Sequence, residues 1–105
     1  MAFKIIDSFH RGVRYEFVIK GPENWSLTDL IPYMLKVSKT SRDYKVTYDM
    51  DSSPPLGFSD NKRGGTAMLR LEDTLIPNLK RLKIFDDGVG TTMINKFVRS
   101  IESEL

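Results

Sequence analysis

The side chains best suited to chemistry are few and scattered. The single histidine, His10, sits in the run Ser8-Phe9-His10-Arg11-Gly12, with Arg14 and Glu16 just beyond it. A histidine base beside arginines is an arrangement that phosphoryl chemistry uses, the base taking a proton while the cations hold the anion. With no spaced carboxylate or nucleophile to orient it, His10 defines no mechanism, and a turn on the surface accounts for the same residues.

The carboxylates offer pairs: Asp49 with Asp51, Glu72 with Asp73, and Asp86 with Asp87. Asp49 and Asp51 are two apart at the end of a strand pattern, so both point one way and offer oxygens to a hard divalent cation. A metal-assisted hydrolase needs a further ligand and a base, and the spacing supplies neither. Acids at strand ends also simply initiate turns. Cysteine is absent, which removes disulfides, thiolate metal sites and cysteine nucleophiles.

The run Asp86-Asp87-Gly88-Val89-Gly90-Thr91-Thr92 precedes a helical pattern and has the glycines of a phosphate cradle. It lacks the lysine and spacing of a P-loop, and its aspartates repel phosphate, so a turn and helix cap is the simpler reading. Neither a metal nor a cofactor is expected.

Positive charge is the better signal. Residues 1–51 carry eight basic and seven acidic side chains, 52–83 carry six against three, and 84–105 carry two against four. The excess therefore falls on Lys62, Arg63, Arg70, Lys80, Arg81 and Lys83. Clustered, flexible cations are what phosphate contacts require, and glycines such as Gly64 and Gly65 let a backbone close on a strand of nucleic acid. Arg11 and Arg14 are further candidates. Phe58 and Tyr33 are the aromatics considered for base stacking, though no RNP-type motif is present.

The elements that must position these residues follow from periodicity. Phe3 and Ile5 alternate with Lys4 in a short strand over 2–7, and Ser8–Gly12 reads as a turn. Val13–Lys20 alternates as a half-buried strand, so 1–20 forms a hairpin. Leu27, Leu30, Ile31, Met34 and Leu35 recur at helical spacing after a capping box over Ser26–Asp29. Pro32 favours a helix beginning near Thr28 or Asp29, with 26–28 as a lead-in turn.

Strands follow at 43–50 and 66–72, then a short helical turn at about 74–79 and a strand at 81–85. A C-terminal helix starts at Thr91 or Thr92 and carries the stripe Ile94, Phe97, Val98 and Ile101. The tripeptide Leu-Ile-Pro occurs at 30–32 and at 75–77, which raises the question of a repeated unit.

The sequence thus predicts a single compact α+β domain over 1–105, of order β-β-α-β-β-β-α. About five mainly antiparallel strands form a two-layer sandwich with two helices on one face. A long flexible loop at about 52–66 carries Leu56 and Phe58, two large apolar residues that a plain connector does not need.

No apolar run reaches the ~20 residues of a membrane span, and the N-terminus lacks the apolar core of a signal peptide. A soluble cytoplasmic protein is expected. The leading functional expectation is a small non-enzymatic protein binding nucleic acid, RNA ahead of DNA, through Lys62, Arg63, Arg70, Lys80, Arg81 and Lys83. The second is a protein-interaction module, an inhibitor, adaptor or subunit, that docks a partner protein through the 52–66 loop with Leu56 and Phe58 as anchors. A hydrolase built on His10 comes third.

Overall fold

The computed structural model describes residues 3–40, 44–48, 56–60 and 65–102; the side chains of 38–40, 44–48, 56 and 58–60 lie outside that description. The chain forms strands β1 (Lys4–Arg11) and β2 (Arg14–Lys20), then a 3₁₀ turn (Leu27–Leu30) running into helix α1 (Ile31–Thr40). Strands β3 (Tyr44–Tyr48), β4 (Leu56–Asp60), β5 (Thr66–Asp73) and β6 (Leu79–Asp87) follow, and helix α2 (Thr91–Glu102) closes the order.

The strands make one sheet in the order β1-β2-β6-β5-β4-β3, with every neighbouring pair antiparallel. The α+β architecture with two helices agrees with the sequence, whereas the expected five strands become six. The additional strand, β4, occupies the middle of the stretch expected to be a loop. Its five residues contain an interior glycine, and prolines and glycines surround it, which together hide the alternation.

Alternation sorts each strand of the sheet's centre into two faces. Tyr15, Phe17 and Ile19 on β2, Ala67 and Leu69 on β5, and Leu82 and Ile84 on β6 are buried in one cluster. Both helices complete that cluster. Met34 and Val37 come from α1, and Met93, Ile94, Phe97 and Ile101 form the buried stripe of α2 at helical spacing. Burying each such side chain contributes about 1.5–3 kcal/mol before ordering costs. Among the described residues, no element packs on the opposite face of the sheet.

Local features fix this layering. Gly12, at φ +60°, opens the two-residue β1–β2 turn, a conformation glycine adopts without a steric cost. A bulge between Ile5 and Asp7 shifts the register, so Ile5 pairs with Ile19 but Asp7 pairs with Val18. That single extra residue moves Phe9 and Arg11 to the side away from the core. The Asp29 carboxylate accepts from the Ser26 backbone N–H at 2.7 Å, half of the expected capping box. The α-helix itself begins at Ile31, which leaves Pro32 in its first turn, where no intrahelical N–H is needed.

The segment 74–79 is not helical. Residues 74–78 are the β5–β6 connection, held by the Thr74 hydroxyl, which donates to the Leu79 carbonyl and accepts from the Ile76 N–H. Leu30-Ile31-Pro32 spans a helix junction, whereas Leu75-Ile76-Pro77 lies in this hairpin turn, so the shared tripeptide takes two unrelated conformations.

Candidate functional site

The uncovered face of the sheet is organised by cross-strand register into rows. One row runs Arg11, Arg14, Phe85, Met68 and Gly57 across β1, β2, β6, β5 and β4. The next runs Phe9, Glu16, Lys83 and Arg70, and a third runs Asp7, Val18, Arg81 and Glu72. Large apolar side chains lie open in the first two: Phe85 is 47% exposed, Met68 44% and Phe9 54%. Cations therefore interleave with exposed apolar side chains on one face.

Charge pairing on this face is selective. Lys83 Nζ lies 3.1 Å from a Glu72 oxygen, and Arg81 Nε lies 3.8 Å from a Glu16 oxygen. Both contacts are diagonal and lead from the second row toward the third. Among the described residues, Arg14 and Arg70 make no ion pair and no side-chain hydrogen bond, and both are exposed. Like charges stand directly opposite each other at Arg11 with Arg14 and at Arg70 with Lys83. Such juxtaposition is destabilising on an isolated sheet, by up to about 1 kcal/mol per pair.

Between the first two rows lies a depression of about 490 Å³ lined by Arg14, Glu16, Met68, Arg70, Lys83 and Phe85. Tyr15, Leu69 and Ile84 also line it, and their buried side chains belong to the core, so their backbone forms its floor. The trough thus runs across the strands, with Arg14, Phe85 and Met68 as one wall and Glu16, Lys83 and Arg70 as the other. The diagonal ion pairs draw Glu16 and Lys83 toward the third row, which helps to keep it open.

Of the residues singled out from sequence, Arg70, Arg81 and Lys83 are brought together on this face, with Arg14 and Arg11 beside them. Lys80 is not. It alternates to the other side, opposite Ile19, where its side chain is mostly buried and its ammonium bonds the exposed Asp73 carboxylate at 2.6 Å. Lys62 and Arg63 lie outside the described residues. Leu56 and Phe58 fall in β4, at register positions opposite Tyr48 and opposite both Val46 and Ala67. Tyr33 is unavailable for stacking on a ligand, being buried edge-on against Phe3 at 5.8 Å between centroids.

Phe85, Met68 and Phe9 were missed as parts of a site, and Glu16 was set only beside His10. A signal for Phe85 was present, since alternation over 81–85 sets it on the side of Arg81 and Lys83. Phe9 carried none, because the bulge that turns it outward leaves no mark in the sequence.

The remaining chemical candidates resolve into local structure. His10 is exposed, bonds the Gly12 carbonyl through Nε2 at 2.8 Å and stacks on Tyr15 at 4.0 Å. Asp86 Oδ1 accepts from the backbone N–H of Val89 at 2.9 Å and of Gly90 at 3.0 Å, so these donors are already engaged. Thr91 directs its hydroxyl to the Tyr15 hydroxyl at 2.7 Å.

Glu72 and Asp73 are tied to Lys83 and Lys80. Asp49 and Asp51 lie outside the described residues. Among the described residues no group of three or more His, Cys, Asp or Glu side chains is gathered to hold a metal ion, and no helix is long and apolar enough to cross a membrane. No family model matches the chain, and neither a curated protein nor a solved structure does.

Proposed function

We propose that this chain is a non-enzymatic binding protein that takes single-stranded nucleic acid, RNA ahead of DNA, across the open face of its sheet. The observation that carries the reading is the interleaving of unpaired Arg14 and Arg70 with exposed Phe85, Met68 and Phe9 on one face. Cations neutralise phosphates wherever the backbone passes, and rings stack on bases without regard to sequence. A single strand supplies both partners at once, because its bases are free to unstack, whereas a duplex hides them.

The opposed pairs Arg11–Arg14 and Arg70–Lys83 support the same reading. Phosphate between two such cations turns a repulsion into two attractions. Lys62 and Arg63 extend the positive segment in sequence.

The test is binding of a fluorescent single-stranded RNA followed by anisotropy at rising salt. Affinity is expected to fall linearly on a log–log plot, with a slope of about −0.7 for each phosphate neutralised. Affinity indifferent to salt contradicts the proposal. A native pull-down run with and without nuclease addresses the second reading: a protein captured equally in both arms favours docking through the 52–66 segment.

A further inference from the structure

Glu16 is out of place on a surface for a polyanion. Among the described residues it is the only acid lining the trough, and it stands in the wall beside Lys83 and Arg70. A phosphate would be repelled there. Its closest cation, Arg81 Nε, is 3.8 Å away, within ion-pair range but beyond hydrogen-bond distance, and no described group donates a hydrogen bond to its carboxylate. The carboxylate therefore keeps its capacity to accept, and a carboxylate accepts two parallel donors well.

We propose that the trough seats one guanine base, a reading that rests on the nucleic-acid function above and names its preferred nucleotide. Guanine presents two adjacent donors, N1–H and the 2-amino group, and on another edge the acceptors O6 and N7. The trough offers a matching pair of walls. Glu16 accepts on one side, and Arg14, two residues along the same face of β2 with its Cα about 7 Å away, donates from the other. Phe85, beside Arg14 in the register, provides the exposed ring for the base's π-face.

The other bases fit less well. Uracil sets its one N–H between two carbonyl oxygens, both of which would face the carboxylate. Adenine and cytosine place an acceptor nitrogen beside their amino group. The lone acid thus becomes the element that discriminates, by rejecting bases whose acceptors approach it. Arg70, at the diagonal corner of the trough from Arg14, remains for a flanking phosphate.

The experiment compares three RNA octamers by anisotropy at fixed low salt: all-uridine, uridine with one central guanosine, and uridine with one central inosine. Inosine keeps O6, N7 and N1–H but lacks the 2-amino group. The wild-type protein is expected to bind the guanosine octamer about tenfold more tightly than the uridine octamer, with inosine between them. In Glu16→Gln the guanosine advantage over inosine disappears, while the uridine octamer binds more tightly because a negative charge has left the wall.

Equal affinity of the wild type for all three octamers overturns the guanine assignment and leaves the nucleic-acid reading standing. A guanosine advantage that survives intact in Glu16→Gln overturns it as well. Absence of binding to any octamer overturns both.

Discussion

Arg70 and Lys83 stand directly opposite each other in the β5–β6 ladder, two cations at a spacing where stable sheets place opposite charges or apolar pairs. Lys83 finds partial relief in Glu72 at 3.1 Å, and Arg70 finds none among the described residues. Both project from the face that no described element covers. A fold that keeps this repulsion gives up some stability and leaves a surface that an anion would relieve.

Arg70→Ala should separate folding from binding. Removing one charge of the opposed pair is expected to leave stability unchanged or raise it by a few tenths of a kcal/mol. The same change should weaken binding to single-stranded RNA and make the log–log salt slope shallower by about 0.7. Denaturant unfolding and anisotropy at several salt concentrations measure the two effects on one sample.

Phe85→Ala should reduce affinity by about 1–3 kcal/mol, the worth of one base stacked on a ring. The residue is 47% exposed, so losing its half-buried ring should cost about 1 kcal/mol of stability and leave the fold intact. The salt slope should stay where it was, since no phosphate contact is lost. Titration calorimetry at two ionic strengths distinguishes this pattern from a general loss of fold.

Asp86→Ala should behave in the opposite way. Its carboxylate takes the N–H groups of Val89 and Gly90 just ahead of α2, and losing such a cap costs about 1 kcal/mol. Thermal unfolding followed by circular dichroism should show the decrease, while RNA affinity of the folded protein stays unchanged.

Gly65→Ala should destabilise the sheet where β5 begins. A Cβ there would lie 2.4 Å from the Gly88 carbonyl carbon, and that neighbour is backbone, which cannot swing aside. Forced overpacking of this kind costs about 1–3 kcal/mol. A lowered denaturant midpoint with an unchanged m-value is the expected result.

Much of this architecture was legible in the sequence because period is a strong signal where an element is long and half-buried. The alternation of Tyr15, Phe17 and Ile19, and the helical stripe ending at Ile101, each marked the right face of the right element. Short or interrupted elements were not legible. Strand β4 depends on pairing with β3 and β5 rather than on its own five residues, and the Thr74 turn resembles a helical turn until its hydrogen bonds are seen.

The site was legible in part for the same reason. Clustering in sequence located Arg70, Arg81 and Lys83, but counting charge cannot assign a face. Lys80, one residue from Arg81, therefore went to the wrong side. The apolar half of the site required strand order. Phe85 and Met68 come from separate strands and become neighbours only through the β5–β6 register, and Phe9 joins their surface only through the bulge near Ile6.

Amide chemical-shift mapping of the isotope-labelled protein, titrated with a short single-stranded RNA, tests the location of the site most directly. The open-face reading predicts the largest shifts at Arg14, Glu16, Met68, Arg70, Lys83 and Phe85, with α1 and α2 quiet. Shifts confined to the exposed sides of the two helices, with the sheet residues unmoved, would contradict it.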